Sequence, residues 1–183
     1  MQFMQRVRVP MGFVLAPLLF LAARPTKTSM VAGTMVASLG LLTRAWASGH
    51  LKKNEVLTRT GPYAYTRNPL YFGTLILGTG VSICTGTAWF VVLFVLLYLV
   101  VYFPVMIAEA DTMESLFPGQ YELYKREVPL FFPRLARSPS SVTASKNGAA
   151  GYDQALYLRH REYRAALGVA IVLVLLGVEA LLR

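Results

Sequence analysis

Hydrophobic residues in this chain fall in long unbroken blocks rather than at the alternating or three-to-four spacing of half-buried elements. A helix needs about 20 apolar residues to cross a bilayer. Five blocks reach or approach that length: about Val9 to Ala23, Ser29 to Ala47, Pro69 to Cys84, Ala88 to Ala108 and Ala165 to Leu182. They predict an all-α polytopic membrane protein of about five spans, one membrane-embedded domain over residues 1–183, with hydrophilic segments at 48–68 and 109–164. A signal peptide is the rival reading of the first block, but Pro17 would break its apolar core and further spans follow. The uncharged turn Thr85-Gly86-Thr87 makes spans three and four a tight hairpin. Gly73 and Gly80, seven residues apart, share a helix face that admits close backbone approach.

The hydrophilic segments have their own grammar. Gly61-Pro62 marks a turn. Asn68-Pro69 marks a helix start, with Asn68 as N-cap and Pro69 at the first helical position. Glu109 to Glu127 reads as helical, broken at Pro118-Gly119. Ser138 to Gly151 reads as a mobile Ser/Gly/Ala-rich loop, and Asp153 to Arg164 as a polar helix, capped by Asp153, that feeds into the last span.

Composition sharpens this picture. The chain is 55% hydrophobic and only 15% charged, with a mean hydropathy of +0.50; a soluble domain carries about 25% charged residues. An ordinary soluble enzyme and a disordered tail are excluded. One cysteine excludes a disulfide framework and a Cys-based zinc site. The net charge of +9 belongs to a membrane rather than to nucleic acid, since no basic stretch interleaves aromatic residues. With the N-terminus cytoplasmic, fifteen of the 18 Lys and Arg fall inside, where they meet anionic lipid. The small size and short loops favour a multi-pass protein of a prokaryotic plasma membrane.

Candidate chemistry is confined to one place. There is no Ser-His-Asp set, no H-E-x-x-H and no phosphate-binding glycine loop. His50 and His160 lie in basic juxtamembrane stretches and read as interfacial, Cys84 reads as packing, and Glu179 is assigned no role. Acidic residues at the end of an apolar span are costly unless solvated, paired or used, and span four ends in Glu109, followed by Asp111 and Glu114. The hairpin brings Asn68-Pro69 and Glu109 out side by side, a polar pocket at the cytoplasmic face.

At these residues the chain resembles a known family. Leu57-Thr-Arg-Thr-Gly-Pro-Tyr-Ala-Tyr-Thr-Arg-Asn-Pro-Leu-Tyr-Phe-Gly73 is similar to the G-P-Y-x-x-x-R-H-P-x-Y-x-G signature of the integral-membrane isoprenylcysteine carboxyl methyltransferases and phospholipid methyltransferases. Their second signature is an acidic pair, then F-G-x-x-Y-x-x-Y-x-x-x-V-P. It is matched by Glu109 and by Phe117-Pro-Gly-Gln-Tyr121-Glu-Leu-Tyr124-Lys-Arg-Glu-Val128-Pro129. The resemblance covers roughly residues 45–135.

It implies S-adenosylmethionine as cofactor. Val56, Leu57 and Thr58 would line its groove and Tyr63 would pack against it. Asn68, Pro69, Leu70 and Tyr71 would cover the amino-acid and ribose portion, Gly73 would leave room, and Glu109 would meet a positive or hydroxyl group. Arg67 would pair with an acidic partner or the cofactor carboxylate, which makes Arg67, Asn68 and Glu109 the candidate catalytic set. Three positions depart from the signatures: Asn68 stands at the histidine, Ala110 at the second acid and Pro118 at the glycine. Without a histidine, an acceptor that is already deprotonated is favoured, such as a prenylcysteine-type carboxylate; an amine would need a base, with Glu109 or Glu55 nearest. The acceptor is expected to be lipophilic. Two alternatives stand beside this: a membrane sterol or enone reductase, with NADPH held by Lys52, Lys53, Arg59 and Arg67, and a non-catalytic membrane scaffold.

Overall fold

The computed structural model describes residues 20, 22–52, 56–139, 141 and 151–182. Among the described residues the helices run in the order α1 Lys27–Ser48, α2 Pro69–Cys84, α3 Ala88–Leu116, α4 Gln120–Glu127, α5 Gln154–Arg159 and α6 Tyr163–Leu182, with a short 3₁₀ turn at Gly61–Ala64. No strand occurs among the described residues. The start of α1 is set by a reciprocal cap, in which Ser29 N donates to Thr26 Oγ1 at 3.1 Å and Thr26 N donates to Ser29 Oγ at 2.9 Å.

Three of these helices, α1, α3 and α6, are long and apolar enough to cross a membrane. The expectation of five spans is corrected at its third, Pro69–Cys84. With 16 residues, α2 rises only about 24 Å at 1.5 Å per residue, short of a hydrocarbon core of about 30 Å. The first expected span, about 9–23, lies outside the described residues except at its end. Two boundaries also move. α3 continues past Ala108 to Leu116 and carries Glu109, Asp111 and Glu114 on helix. The expected helix over Asp153–Arg164 is interrupted: Asp153 does cap α5, accepting from Ala155 N at 2.8 Å, but α5 stops at Arg159. Arg161 then takes a left-handed φ of 56° and α6 begins at Tyr163. Most of the expected Ser138–Gly151 loop lies outside the described residues.

The chain divides into two compact units. The first comprises the described parts of Met1–Leu41, Thr74–Val105 and Ala165–Arg183. Its helices meet through small residues, because lipid supplies no hydrophobic drive and association rests on close packing. A Cβ placed on Gly33 would strike Cys84 and the Gly80 carbonyl, one on Gly40 would strike Leu77, and one on Gly80 would strike the Ala37 backbone. Gly80 thus serves the close approach expected of it, and its partner is the Gly33–Ala37–Gly40 face of α1. The α2–α3 turn is tied to the preceding chain, with Arg24 N donating to Thr85 O at 2.7 Å and Thr87 Oγ1 to Ala22 O at 3.0 Å. Ala23, Cys84 and Leu176 form its buried cluster with Met30, Val172 and Leu173.

Candidate functional site

All the described candidate residues lie in the second unit, Leu42–Gly73 with Met106–Arg164. Its scaffold is a set of tyrosines. Tyr121 and Tyr124 on α4 pack with Val128 into a buried cluster, flanked by Leu57, Ala110, Met113 and Phe117. Ala110, Met113 and Phe117 recur at helical spacing, so the position where the resemblance expects a second acid faces an apolar cluster. A carboxylate there would be desolvated without a partner, which accounts physically for the alanine. Glu109, one residue earlier, is exposed.

The Gly61–Ala64 turn, opened by Gly61 at φ 59°, seats Tyr63 with 7% exposure. Tyr124 Oη donates to the Tyr63 carbonyl at 2.7 Å. Burial pushes the Tyr63 hydroxyl pKa well up, and Glu109 and Glu162 push it further. Burial does the same to Tyr124, reinforced by Tyr63 and Tyr121. Both rings remain neutral over the working pH range.

Arg67 follows this turn. Its Nη1 donates to Tyr121 Oη at 3.0 Å, and the guanidinium lies 5.6 Å from the Tyr121 ring centroid. Its Nε is buried without a hydrogen-bond partner, and among the described residues Arg67 forms no ion pair. A half-buried guanidinium with a buried spare donor and no ion pair is a place for an anion to complete. Asn68 stands just before α2, with Phe72 N donating to its carbonyl at 3.0 Å; its side-chain amide donates to Leu130 O at 3.0 Å. Pro69 is fully buried, as the first helical residue. One turn on, Tyr71 Oη donates to Glu109 Oε2 at 3.0 Å, and Gly73 is buried.

The candidates therefore fall into groups. Tyr71 and Glu109 are in direct contact, Arg67 is bonded to α4, and Leu57 joins the tyrosine cluster. Thr58 instead turns to the His50–Lys52 stretch, accepting from Lys52 N at 3.4 Å. Leu70 is half-buried and Val56 is 57% exposed. Glu55 lies outside the described residues.

Two features had no sequence signal. Arg44 grips Glu162 through Nε to Oε2 at 3.0 Å and Nη2 to Oε1 at 2.9 Å, with side chains only 21% and 12% exposed. These residues are 118 positions apart, and only the joint between α5 and α6 turns Glu162 toward Arg44. In that joint the Nδ1 of His160 is also buried without a partner. Among the described residues no group of three or more His, Cys, Asp or Glu is gathered as a metal ion would need.

Comparison with known proteins adds a family to this geometry. A family model described as phospholipid methyltransferase matches residues 27–120. The chain is 32% identical over 136 residues to the cobalt-zinc-cadmium resistance protein CzcN of Cupriavidus metallidurans, covering 70% of this chain and 62% of that one. It is 27% identical over 116 residues to the nickel-cobalt-cadmium resistance protein NccN of Alcaligenes xylosoxydans xylosoxydans, covering 62% and 54%. The chain spans a little more than half the length of these curated relatives. No solved structure matches it.

Proposed function

Since the chain belongs to the phospholipid methyltransferase family, we propose that it transfers a methyl group from S-adenosylmethionine to a lipophilic acceptor at the cytoplasmic face of a membrane. The observation that carries this reading is the half-buried Arg67, whose Nε is buried without a partner and which forms no ion pair among the described residues. It fits the carboxylate of the cofactor's amino-acid portion. When bound, S-adenosylmethionine supplies a sulfonium methyl already activated for in-line displacement.

The protein's part is then placement. Arg67 holds the anionic end, oriented by Tyr121. Glu109, oriented by the Tyr71 hydroxyl, takes a hydroxyl or the ammonium group. Tyr63 and Pro69 supply dry walls, and Gly73 leaves space beside them. Correct alignment of nucleophile and methyl group contributes on the order of 7–11 kcal/mol in such reactions. Asn68 spends its amide on Leu130 O and has no titratable proton to move, so its part is positional. The acceptor best suited to this set is one already deprotonated, such as a carboxylate on a lipid-soluble molecule. The N-terminus-in orientation and a prokaryotic plasma membrane complete the reading.

Thermal unfolding in detergent tests it. S-adenosylhomocysteine at 100 times its dissociation constant should stabilise the protein by about 2.7 kcal/mol, and NADPH should not. Arg67→Met and Glu109→Ala should each remove that shift, while Tyr121→Phe, which leaves the guanidinium in place, should keep most of it. A shift with NADPH alone would replace this reading with a reductase, and no shift with either ligand would replace it with a scaffold.

A further inference from the structure

The segment Pro129–Ser138, in the second unit, is held by the motif it follows. Arg67 N donates to Pro129 O at 3.0 Å, Arg134 N to Tyr65 O at 3.0 Å and Ser138 N to Ala64 O at 3.2 Å. Between these, Asn68 Nδ2 donates to Leu130 O at 3.0 Å and Thr66 Oγ1 to Phe131 O at 2.8 Å. The backbone bonds pair 129, 134 and 138 with 67, 65 and 64, so the two stretches run antiparallel and are joined at both ends and in between. Phe131 is buried and packs edge-on against Phe72 at 5.9 Å.

Its neighbours are treated differently. Phe132 is 66% exposed and Leu135 is 102% exposed. A slack loop would fold such residues against the protein; one bonded at both ends and through its middle cannot. Two arginines flank them. Arg134 Nη1 donates to Glu127 O at 2.6 Å and Arg137 Nε to Tyr65 Oη at 3.1 Å. Among the described residues neither enters an ion pair, so both positive charges remain uncompensated.

We infer that Phe132 and Leu135 form a wedge seated in the interfacial layer of an anionic phospholipid leaflet, with Arg134 and Arg137 at the level of the phosphates. Charge decides for anionic lipid, since apolar side chains bordered by basic ones match an anionic surface. Area decides against a protein partner. Two exposed side chains fall far short of the roughly 800 Å² per partner that a stable protein interface buries, whereas a chain already carrying membrane-spanning helices needs no further anchoring energy from this contact. The wedge adds a lipid contact that is bonded directly to Ala64–Asn68, and so to Arg67. The inference rests on the chain lying in a membrane and not on the methyl-transfer reading.

The test uses the full chain in phosphatidylcholine vesicles with and without phosphatidylglycerol. A Cys84→Ser, Leu135→Cys variant carries an environment-sensitive fluorophore at position 135. The expected result is blue-shifted emission, quenched by a spin label near the lipid headgroup and protected from aqueous iodide. Phosphatidylglycerol should deepen the shift, and an added Arg137→Glu should abolish its effect. Water-like emission quenched by iodide in both lipids would overturn the proposal. So would a blue shift that ignores lipid spin label and grows with protein density, which would indicate a second copy. Phe132→Ser, Leu135→Ser should leave the detergent melting temperature unchanged; a marked fall would show that these side chains pack inside the protein, against the proposal. The shift with S-adenosylhomocysteine, read in the same vesicles, separates failure of the wedge from failure of the methyltransferase reading.

Discussion

The two units of this chain are built on opposite economies of contact. In the first, helices touch backbone to backbone at Gly33, Gly40 and Gly80, and side chains such as Val31, Met35 and Leu39 stand exposed along α1. That arrangement suits a solvent as apolar as the side chains themselves, where only tight packing distinguishes a helix neighbour from lipid. In the second, short and irregular pieces are joined by hydrogen bonds from Thr66, Arg67, Asn68 and Tyr124. Buried polar groups demand partners, and a web of satisfied ones specifies a single geometry. The chemistry-bearing residues are all in the unit of the second kind. Precise placement of a guanidinium or carboxylate needs directional bonds, which small-residue packing does not supply.

That contrast predicts different fragilities. The largest effect is expected from Gly80→Leu, whose side chain has nowhere to go but into the α1 backbone. It should cost upwards of about 3 kcal/mol of stability, read by thermal unfolding in detergent, and a tolerated leucine would mean that the helices are not in backbone contact.

In the second unit the corresponding break is electrostatic. Arg44→Met strands Glu162, whose side chain is 12% exposed, and should cost about 2 kcal/mol, less than for a wholly buried pair because Arg44 is partly in water. Arg44→Met with Glu162→Leu should recover most of the loss. If the double variant is no better than the single, the pair contributes attraction and not merely mutual neutralisation.

The smallest effect sharpens the comparison by pH. Tyr124→Phe removes the bond to the Tyr63 carbonyl and should cost about 1 kcal/mol. The folded state holds the Tyr124 proton above its ordinary value of 10.0. Stability is therefore full below about pH 10 and lost as pH rises beyond it, at roughly 1.4 kcal/mol per pH unit for each such tyrosine. Tyr124→Phe and Tyr63→Phe should each flatten that alkaline fall when unfolding is followed from pH 9 to 12; an unchanged slope would mean that these hydroxyls ionise freely.

Much of this was legible along the chain. Hydropathy placed α1, α6 and the start of α3 within two residues, and turn chemistry placed Pro69 at the head of α2 and the break at Pro118-Gly119, because caps and turns are decided by residues adjacent in sequence. The candidate site was legible as a motif, but the partners of its residues were not. Nothing near Arg67 announces Tyr121 as its bond, nothing near Asn68 announces Leu130, and nothing near Arg44 announces Glu162. The count of spans also exceeded what length alone supports, since an apolar run of 16 residues reads as a span until its rise is measured.

By itself the sequence determined that this is an apolar, all-helical membrane chain with one polar motif, because length, hydropathy and local caps act over a few residues and need no fold to operate. Only the tertiary structure decided which small residues meet, why Ala110 replaces an acid, and that Arg67 keeps an unpartnered buried donor. Those are properties of segments brought together from positions tens of residues apart, and burial and hydrogen-bond satisfaction exist only once the segments have met.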